Sequence, residues 1–468
     1  MSKLPFFLTL VPAASCLAQE APPIKASAQR PNIILVMTDD QGYGDVAFRG
    51  HQHLKTPALD DLAKTAIRFD RFYAAAPVCS PTRASCITGR HPYRYGIRGA
   101  NNGHMKPEEH TLAEVLRTHG YRTGHFGKWH LGTLTKTIKD SNRGGPRSVK
   151  HFAPPWEHGF DRCFSTEAKV PTFDPMKTPA SWAGGTGKKQ PGSPYGTAYW
   201  NEIGERVTAE LEGDDSALIM DRALPFIEAS VRADKPFFTV IWFHAPHLPV
   251  VAGPKHLAPY ASIEKPQHKH YYGCITALDE QVGRLRKRLR TLGVAQDTML
   301  WYCSDNGPEG QDKAPGRTLG LRGRKRSLFE GGVRVPAFLE WPGRFQEAKV
   351  IAAPCVTSDY FPTILAVLGL KPDDRPLDGI NLMPLLTGET AWRSQGIGFQ
   401  SRNQATWVED RYKLVIQKNK VMLFNLAEDR QEKADIAKTS PKVKARMMAA
   451  LTAWQKSCSS SAAGADYK

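Results

Sequence analysis

Asn32-Ile33-Ile34-Leu35-Val36-Met37, followed at once by Thr38-Asp39-Asp40-Gln41-Gly42-Tyr43-Gly44, decides the architecture of this chain. A short, wholly apolar run reads as a strand buried on both faces, as in parallel sheets covered by helices. Two adjacent carboxylates at its end repel each other unless a cation sits between them. Open α/β sheets gather their ligands at that carboxyl edge. The plainer reading is a solvated turn, because Asp and Gly both favour turns.

The device recurs. Thr298-Met299-Leu300-Trp301-Tyr302-Cys303 is a second apolar strand, and it runs into Ser304-Asp305-Asn306-Gly307. Phe237-Phe238-Thr239-Val240-Ile241-Trp242-Phe243 is a third, ending in His244-Ala245-Pro246-His247-Leu248-Pro249. Helical stretches over 57–67, 111–119, 217–231, 268–292 and 359–370 alternate with such strands. That alternation predicts an α/β fold whose large, mostly parallel sheet is sandwiched by helices, over 31–388. Beyond Gly388 the pattern shifts to short strands at 396–400, 412–417 and 421–425, a charged turn at 428–433 and a helix over 441–455. This predicts a small antiparallel C-terminal subdomain over 389–456 and a disordered tail over 457–468. No fixed-period repeat is visible.

Three further stretches carry chemistry. Cys79-Ser80-Pro81-Thr82-Arg83 is followed by Ala84-Ser85-Cys86-Ile87-Thr88-Gly89-Arg90. Pro81 suits the first turn of a helix, so Cys79 stands at a helix N-terminus, where partial positive charge favours an anion. Arg83, four residues on, is placed to reach back towards it. In Gly127-Lys128-Trp129-His130-Leu131-Gly132, Lys128 and His130 are two apart and share a face of an extended segment. A cation beside an imidazole suits a charged oxyanion. In Arg322-Gly323-Arg324-Lys325-Arg326-Ser327-Leu328-Phe329-Glu330-Gly331-Gly332-Val333-Arg334, basic residues crowd a loop. The plain alternatives are a buried core cysteine and a solvated basic loop.

Taken together, in this order, these motifs closely resemble the type I sulfatases, over roughly 31–440. The resemblance implies the alkaline phosphatase-like fold. It implies that a maturation enzyme oxidises Cys79 to formylglycine, whose hydrate attacks sulfur and later expels sulfate by re-forming the carbonyl. It implies a single calcium ion held by Asp39, Asp40, Asp305 and Asn306 with an oxygen of modified Cys79. Hard oxygen ligands of this kind suit Ca²⁺ or Mg²⁺ better than Zn²⁺. By the same resemblance Arg83, Lys128 and Lys325 neutralise the sulfate, and Asp305 helps deprotonate the attacking hydroxyl. His130 drives elimination, and His247 or Lys325 protonates the leaving oxygen. His244 and His247 both fit His-x-Pro; His247 is favoured, and His244 reads as structural. Arg324 and Arg326 depart from the family pattern, which often has glycine and a small polar residue there. They read either as a solvated loop or as a site for an anionic neighbour of the scissile group.

The implied activity is hydrolysis of sulfate esters on a carbohydrate. A phosphodiesterase or phosphonate monoester hydrolase of the same superfamily is the nearer alternative, and a catalytically silent glycan-binding protein the more distant one. The irregular segment 133–212 carries Trp156, Trp182, Tyr195 and Trp200. Those rings read equally as sugar platforms and as loop packing.

With 63 basic and 46 acidic residues the net charge is +17, a field that attracts polyanions. No nucleic-acid-binding motif accompanies it, so a sulfated glycan is the expected partner and nucleic acid is not. Residues 1–18 read as an export signal, and Ala13-Ala14-Ser15-Cys16 loosely resembles a lipoprotein box that would lipidate Cys16. Export to the periplasm or medium is therefore expected, with no membrane span. The eight cysteines show neither metal-site spacing nor a legible disulfide framework.

Overall fold

The computed structural model describes residues 30–311 and 313–467. Residues 1–29, and with them the export segment and Cys16, lie outside the described residues. Among those described, no helix is long and apolar enough to cross a membrane.

One sheet of ten strands organises the molecule. From edge to edge its strands are Lys349–Ile351, Ile67–Phe69, Ala337–Glu340, Thr298–Ser304, Asn32–Thr38, Phe237–Trp242, Arg122–Lys128, Arg162–Thr166, Tyr199–Trp200 and Arg206–Val207. The five from Thr298–Ser304 to Arg162–Thr166 are mutually parallel. Their carboxyl ends therefore share one edge. Antiparallel strands appear only outside this block.

The central strand shows why both faces are covered. Ile33, Leu35 and Met37 join one core, and Ile34 and Val36 join the other, as the two-residue period of a strand demands. The first core receives the helices Cys79–Thr88, Leu112–Thr118 and Tyr360–Val367. The second receives Pro57–Thr65, Asp215–Arg232 and Pro266–Thr291. Each fully buried aliphatic side chain in these layers contributes about 1.5–3 kcal/mol.

The C-terminal unit is a four-stranded antiparallel meander: Ile397–Ser401, Gln404–Glu409, Tyr412–Gln417 and Lys420–Asn425. Gln404–Glu409 is a strand the sequence pattern did not reveal. Its Trp407 and Ala405 pack under the final helix, Pro441–Ala462. That helix corrects the expected disordered tail. It continues well past residue 455 because its last turns are anchored: Ser457 and Ser461 accept hydrogen bonds from Arg94, Asp466 pairs with Arg90, and Tyr467 bonds to Glu109.

The described cysteines, Cys79 through Cys458, are all free and buried. Cys303 lies inside its core strand, 1 % exposed.

Candidate active site

The carboxyl edge of the parallel block collects the motif residues. Asp39 and Asp40 follow the strand Asn32–Thr38, and Asp305 and Asn306 follow Thr298–Ser304. Lys128 is the last residue of Arg122–Lys128, and His244 and His247 lie just beyond Phe237–Trp242. The turns are stitched together. Asp305 N donates to the Thr38 carbonyl at 3.0 Å, and Asp40 N donates to Asp305 Oδ1 at 3.1 Å. Asp40 sits in the left-handed region, φ 69°.

Two glycines permit this crowding. A Cβ on Gly307 would lie 1.9 Å from the Gly331 carbonyl oxygen, so Asp-Asn-Gly and Glu-Gly-Gly must pack backbone to backbone. Gly127, φ +105°, leaves no room beside the Trp242 carbonyl, 2.0 Å from where its Cβ would lie. Lys128 is set by that close approach. Glu330, from the same motif, is structural: it accepts from Lys413 at 2.8 Å and from Tyr73 at 3.2 Å, tying the meander to the site loop.

Carboxylates and cations interlock. Lys128 Nζ lies 2.6 Å from Asp39 Oδ2, and Lys325 Nζ lies 2.7 Å from Asp40 Oδ1. Arg83 Nη2 lies 2.6 Å from Asp305 Oδ2, and its Nη1 donates to the Lys128 carbonyl at 3.1 Å. Arg83 is fully buried, and its guanidinium interacts with Asp305 and Asp39 and with Cys79. Asn306 Nδ2 donates to Asp40 Oδ1 at 2.7 Å.

Burial opposes ionisation of Asp39, yet Lys128, His247, Arg83 and Lys325 outweigh it and hold that carboxyl well below the ordinary range. Burial and the nearby Asp39 push Asp305 upward, against Arg83 and Lys128. Lys325 is raised above the ordinary lysine range: burial opposes its charge, but Asp40 and its neighbours win.

The expected metal ligands therefore converge, and their chemistry fits a hard cation. Asp39 Oδ1 and Asn306 Oδ1 are buried oxygens with no hydrogen-bond partner. Asp39, Asp305 and Cys79 bring ligand atoms within 4.8 Å of one another, as do Asp39, Asp40 and His247. Unpartnered buried oxygens beside crowded carboxylates are what an oxygen-seeking ion such as Ca²⁺ would satisfy.

Cys79 opens the helix Cys79–Thr88 and is 2 % exposed. Burial pushes its thiol up, although Lys128 and Lys325 pull the other way. A neutral thiol is a poor nucleophile.

The histidines divide sharply. His244 is buried between Thr166 Oγ1, 2.7 Å from Nε2, and Asp215 Oδ2, 2.8 Å from Nδ1. It is a structural histidine. His247 lines the cavity; its Nδ1 lies 2.6 Å from the Leu248 carbonyl, which only accepts, so Nδ1 carries the proton. Burial and Lys325 lower His247 to about 4, against Asp39 and Asp40, and its Nε2 lies 3.7 Å from Asp40 Oδ2.

His130 adopts φ 58° and places Nε2 2.8 Å from Asn101 Oδ1. Asn142 Nδ2 donates to that same oxygen at 3.2 Å, which marks it as the acceptor. His130 Nε2 is therefore protonated, and its buried Nδ1 is a base with no partner.

These groups face a single cavity of about 700 Å³, where Cys79, Lys128, His130, His247 and Lys325 meet. Sequence reasoning missed part of its wall: Arg98, Asn101, Asn142, Lys169 and Arg402. Their Asn/Gly-rich and loop surroundings gave only a turn signal. The aromatics of 133–212 are mostly packing instead. Tyr195 and Trp200 are buried, and the Trp200 indole donates to Asp140 at 2.7 Å. Arg324 is bound by the Glu309 and Gly316 carbonyls, and Arg326 by the Glu309 carboxylate. Arg324 keeps a buried Nε with no partner, and Arg326 lines the cavity as half of its pair with Glu309.

The sulfatase family model matches residues 31–370. The chain belongs to the sulfatase family. It is an enzyme of that class, a sulfuric ester hydrolase with the alkaline phosphatase-like fold. It is 34 % identical to human arylsulfatase A over 382 residues, covering 78 % of this chain and 69 % of that one. It is 32 % identical to N-acetylgalactosamine-6-sulfatase of Sus scrofa over 386 residues, covering 78 % and 67 %. Among solved structures, Ps i-CgsB in complex with k-i-k-neocarrahexaose superposes with a TM-score of 0.78. It is 28 % identical, covering 91 % of this chain and 93 % of that one.

Proposed function

We propose that this sulfatase removes sulfate from a sulfated carbohydrate through a formylglycine made from Cys79 by a maturation enzyme, after export. The observation that carries the reading is the convergence of Cys79, Lys128, His130, His247 and Lys325 on one polar cavity. A cavity of about 700 Å³ has room for sugar residues. The carbohydrate-bound neighbour and the N-acetylgalactosamine-6-sulfatase relative support the substrate class.

Asp39, Asp40, Asp305 and Asn306 would hold calcium, which would supply positive charge to stabilise anionic oxygens in the cavity. Lys128 and Lys325 orient the sulfate electrostatically. Asp305 takes the proton of one hydroxyl of hydrated residue 79 as that oxygen bonds to sulfur. The bond from sulfur to the sugar oxygen breaks, and Lys325, held protonated by Asp40, gives that oxygen a proton. His247 Nε2 stays an acceptor that orients the sugar. His130 Nδ1 then takes the proton of the second hydroxyl, the carbonyl re-forms, and sulfate leaves.

Free sulfate released from a panel of sulfated oligosaccharides tests this, with formylglycine verified by mass spectrometry. Release by the matured enzyme and none by Cys79→Ala is expected. Cys79→Ser should accumulate a sulfated serine, because it lacks the second hydroxyl. Steady turnover by either variant would overturn the mechanism.

A further inference from the structure

The cavity wall carries more positive charge than one sulfate ester needs. Of its cations, Lys128 is paired with Asp39, Lys325 with Asp40 and Arg326 with Glu309. Three others have no ion pair among the described residues: Arg98, Lys169 and Arg402. Arg98 and Arg402 stand together at Tyr93. The Arg98 guanidinium lies 5.9 Å from the ring centroid, and Arg402 N donates to the Tyr93 hydroxyl at 3.1 Å. Both are exposed at the mouth. Lys169 is half-buried on a loop after the strand Arg162–Thr166, its Nζ 3.2 Å from the Gly185 carbonyl.

Arg402 comes from the left-handed turn between the first two strands of the C-terminal meander, φ 52°. The small subdomain thus completes the wall of the catalytic cavity. Burial, Lys128 and Lys325 all depress Lys169, so it stands in a field that an added anion would relieve.

We propose that Arg98, Arg402 and Lys169 form a subsite for a second anionic group of the substrate, so that this enzyme acts on glycans bearing another sulfate or a carboxylate beside the scissile sulfate. The inference rests on the carbohydrate reading above. It names the substrate class within that reading: a glycan with a second anion in the repeat beside the scissile sulfate, rather than one sulfate alone per repeat. Guanidinium groups suit this because they bind planar or tetrahedral oxyanions with paired hydrogen bonds.

The test is equilibrium binding by calorimetry to full-length Cys79→Ala, which binds without turnover. The probes are tetrasaccharides of κ-carrageenan, singly sulfated per repeat, and of ι-carrageenan, doubly sulfated per repeat, with a chondroitin 6-sulfate tetrasaccharide as the carboxylate arm. We expect at least one doubly anionic probe to bind about tenfold tighter than κ-carrageenan. The arm that gains tells sulfate from carboxylate. Adding Arg98→Ala, Lys169→Ala and Arg402→Ala should erase that gain and flatten the salt dependence of binding. Arg98→Lys with Arg402→Lys should recover it in part, which a folding defect would not allow. Equal affinity for all three probes, or a gain that survives in the triple variant, overturns the subsite. Sulfate release by the matured enzyme, measured separately, reports on the carbohydrate reading itself.

Discussion

Arg83 and Asp305 meet through two hydrogen bonds, Nη2 at 2.6 Å and Nε at 3.1 Å from Oδ2, with both side chains fully buried. The pair joins the helix that begins at Cys79 to the strand that delivers two of the expected metal ligands. A buried pair loses far more when one partner is removed than it gains over an apolar replacement. Arg83→Ala should therefore cost about 3–5 kcal/mol of stability. Urea unfolding followed by circular dichroism checks this. Arg83→Lys keeps the charge without the fork and should recover only part of the loss.

Asn101 sets the tautomer of His130. Asn101→Ala removes the acceptor from His130 Nε2 and frees the ring to flip its proton to Nδ1. The kcat for sulfate release should fall by up to about 100-fold with KM changed less. Asn101→Asp keeps an acceptor there and should recover part of kcat. Its carboxylate stabilises the imidazolium, so the acid limb of the pH–rate profile should move to higher pH.

Calcium should bind without being needed for folding, since Lys128 and Lys325 already pair with Asp39 and Asp40. Thermal unfolding after chelation should give a lower Tm that rises again on adding Ca²⁺. A hundredfold excess over Kd corresponds to about 2.7 kcal/mol. Asp305→Asn should weaken that calcium-dependent rise, a readout independent of activity.

His91 gives an acid-sensitive joint between the catalytic unit and the last helix. Its ring lies against Trp454, centroids 4.8 Å apart, and its backbone N–H donates to Asp378 at 2.5 Å. Burial lowers it from 6.5 to about 4, against the pull of Asp378. The unfolded chain therefore takes up this proton first. The stability from neutral His91 is fully present above pH 6.5 and is lost as pH falls from 6.5 towards 4. Up to about 3 kcal/mol is at stake. Urea midpoints at pH 7 and 4.5 should converge in His91→Gln relative to the parent; an unchanged gap would assign the acid loss elsewhere.

Much of the fold was legible because its signals are local. The apolar runs ending at Asp39, His244 and Asp305 read as buried strands, and they are neighbours in the parallel block. The strand Gln404–Glu409 was not legible, since its short, mixed sequence becomes a strand only between two partners. The end of the final helix was hidden too. Its serine- and alanine-rich turns carry no local stop or start, and Arg90, Arg94 and Glu109 decide their order from far away in sequence.

The sequence by itself determined the family and the strands and helix that carry the candidate site. Local pattern puts Asp39, Asp40, Asp305 and Asn306 just after strands and Cys79 at the start of a helix, and the resemblance to the sulfatases adds Lys128, His130 and Lys325. Only the tertiary structure decided which neighbours those residues keep. It spends Arg83 on Asp305 and Arg326 on Glu309, seals His244 between Thr166 and Asp215, and leaves Arg98, Lys169 and Arg402 facing the cavity. Charge pairing is a matter of distance in space, and distances of a few ångströms between residues hundreds of positions apart are set by packing alone.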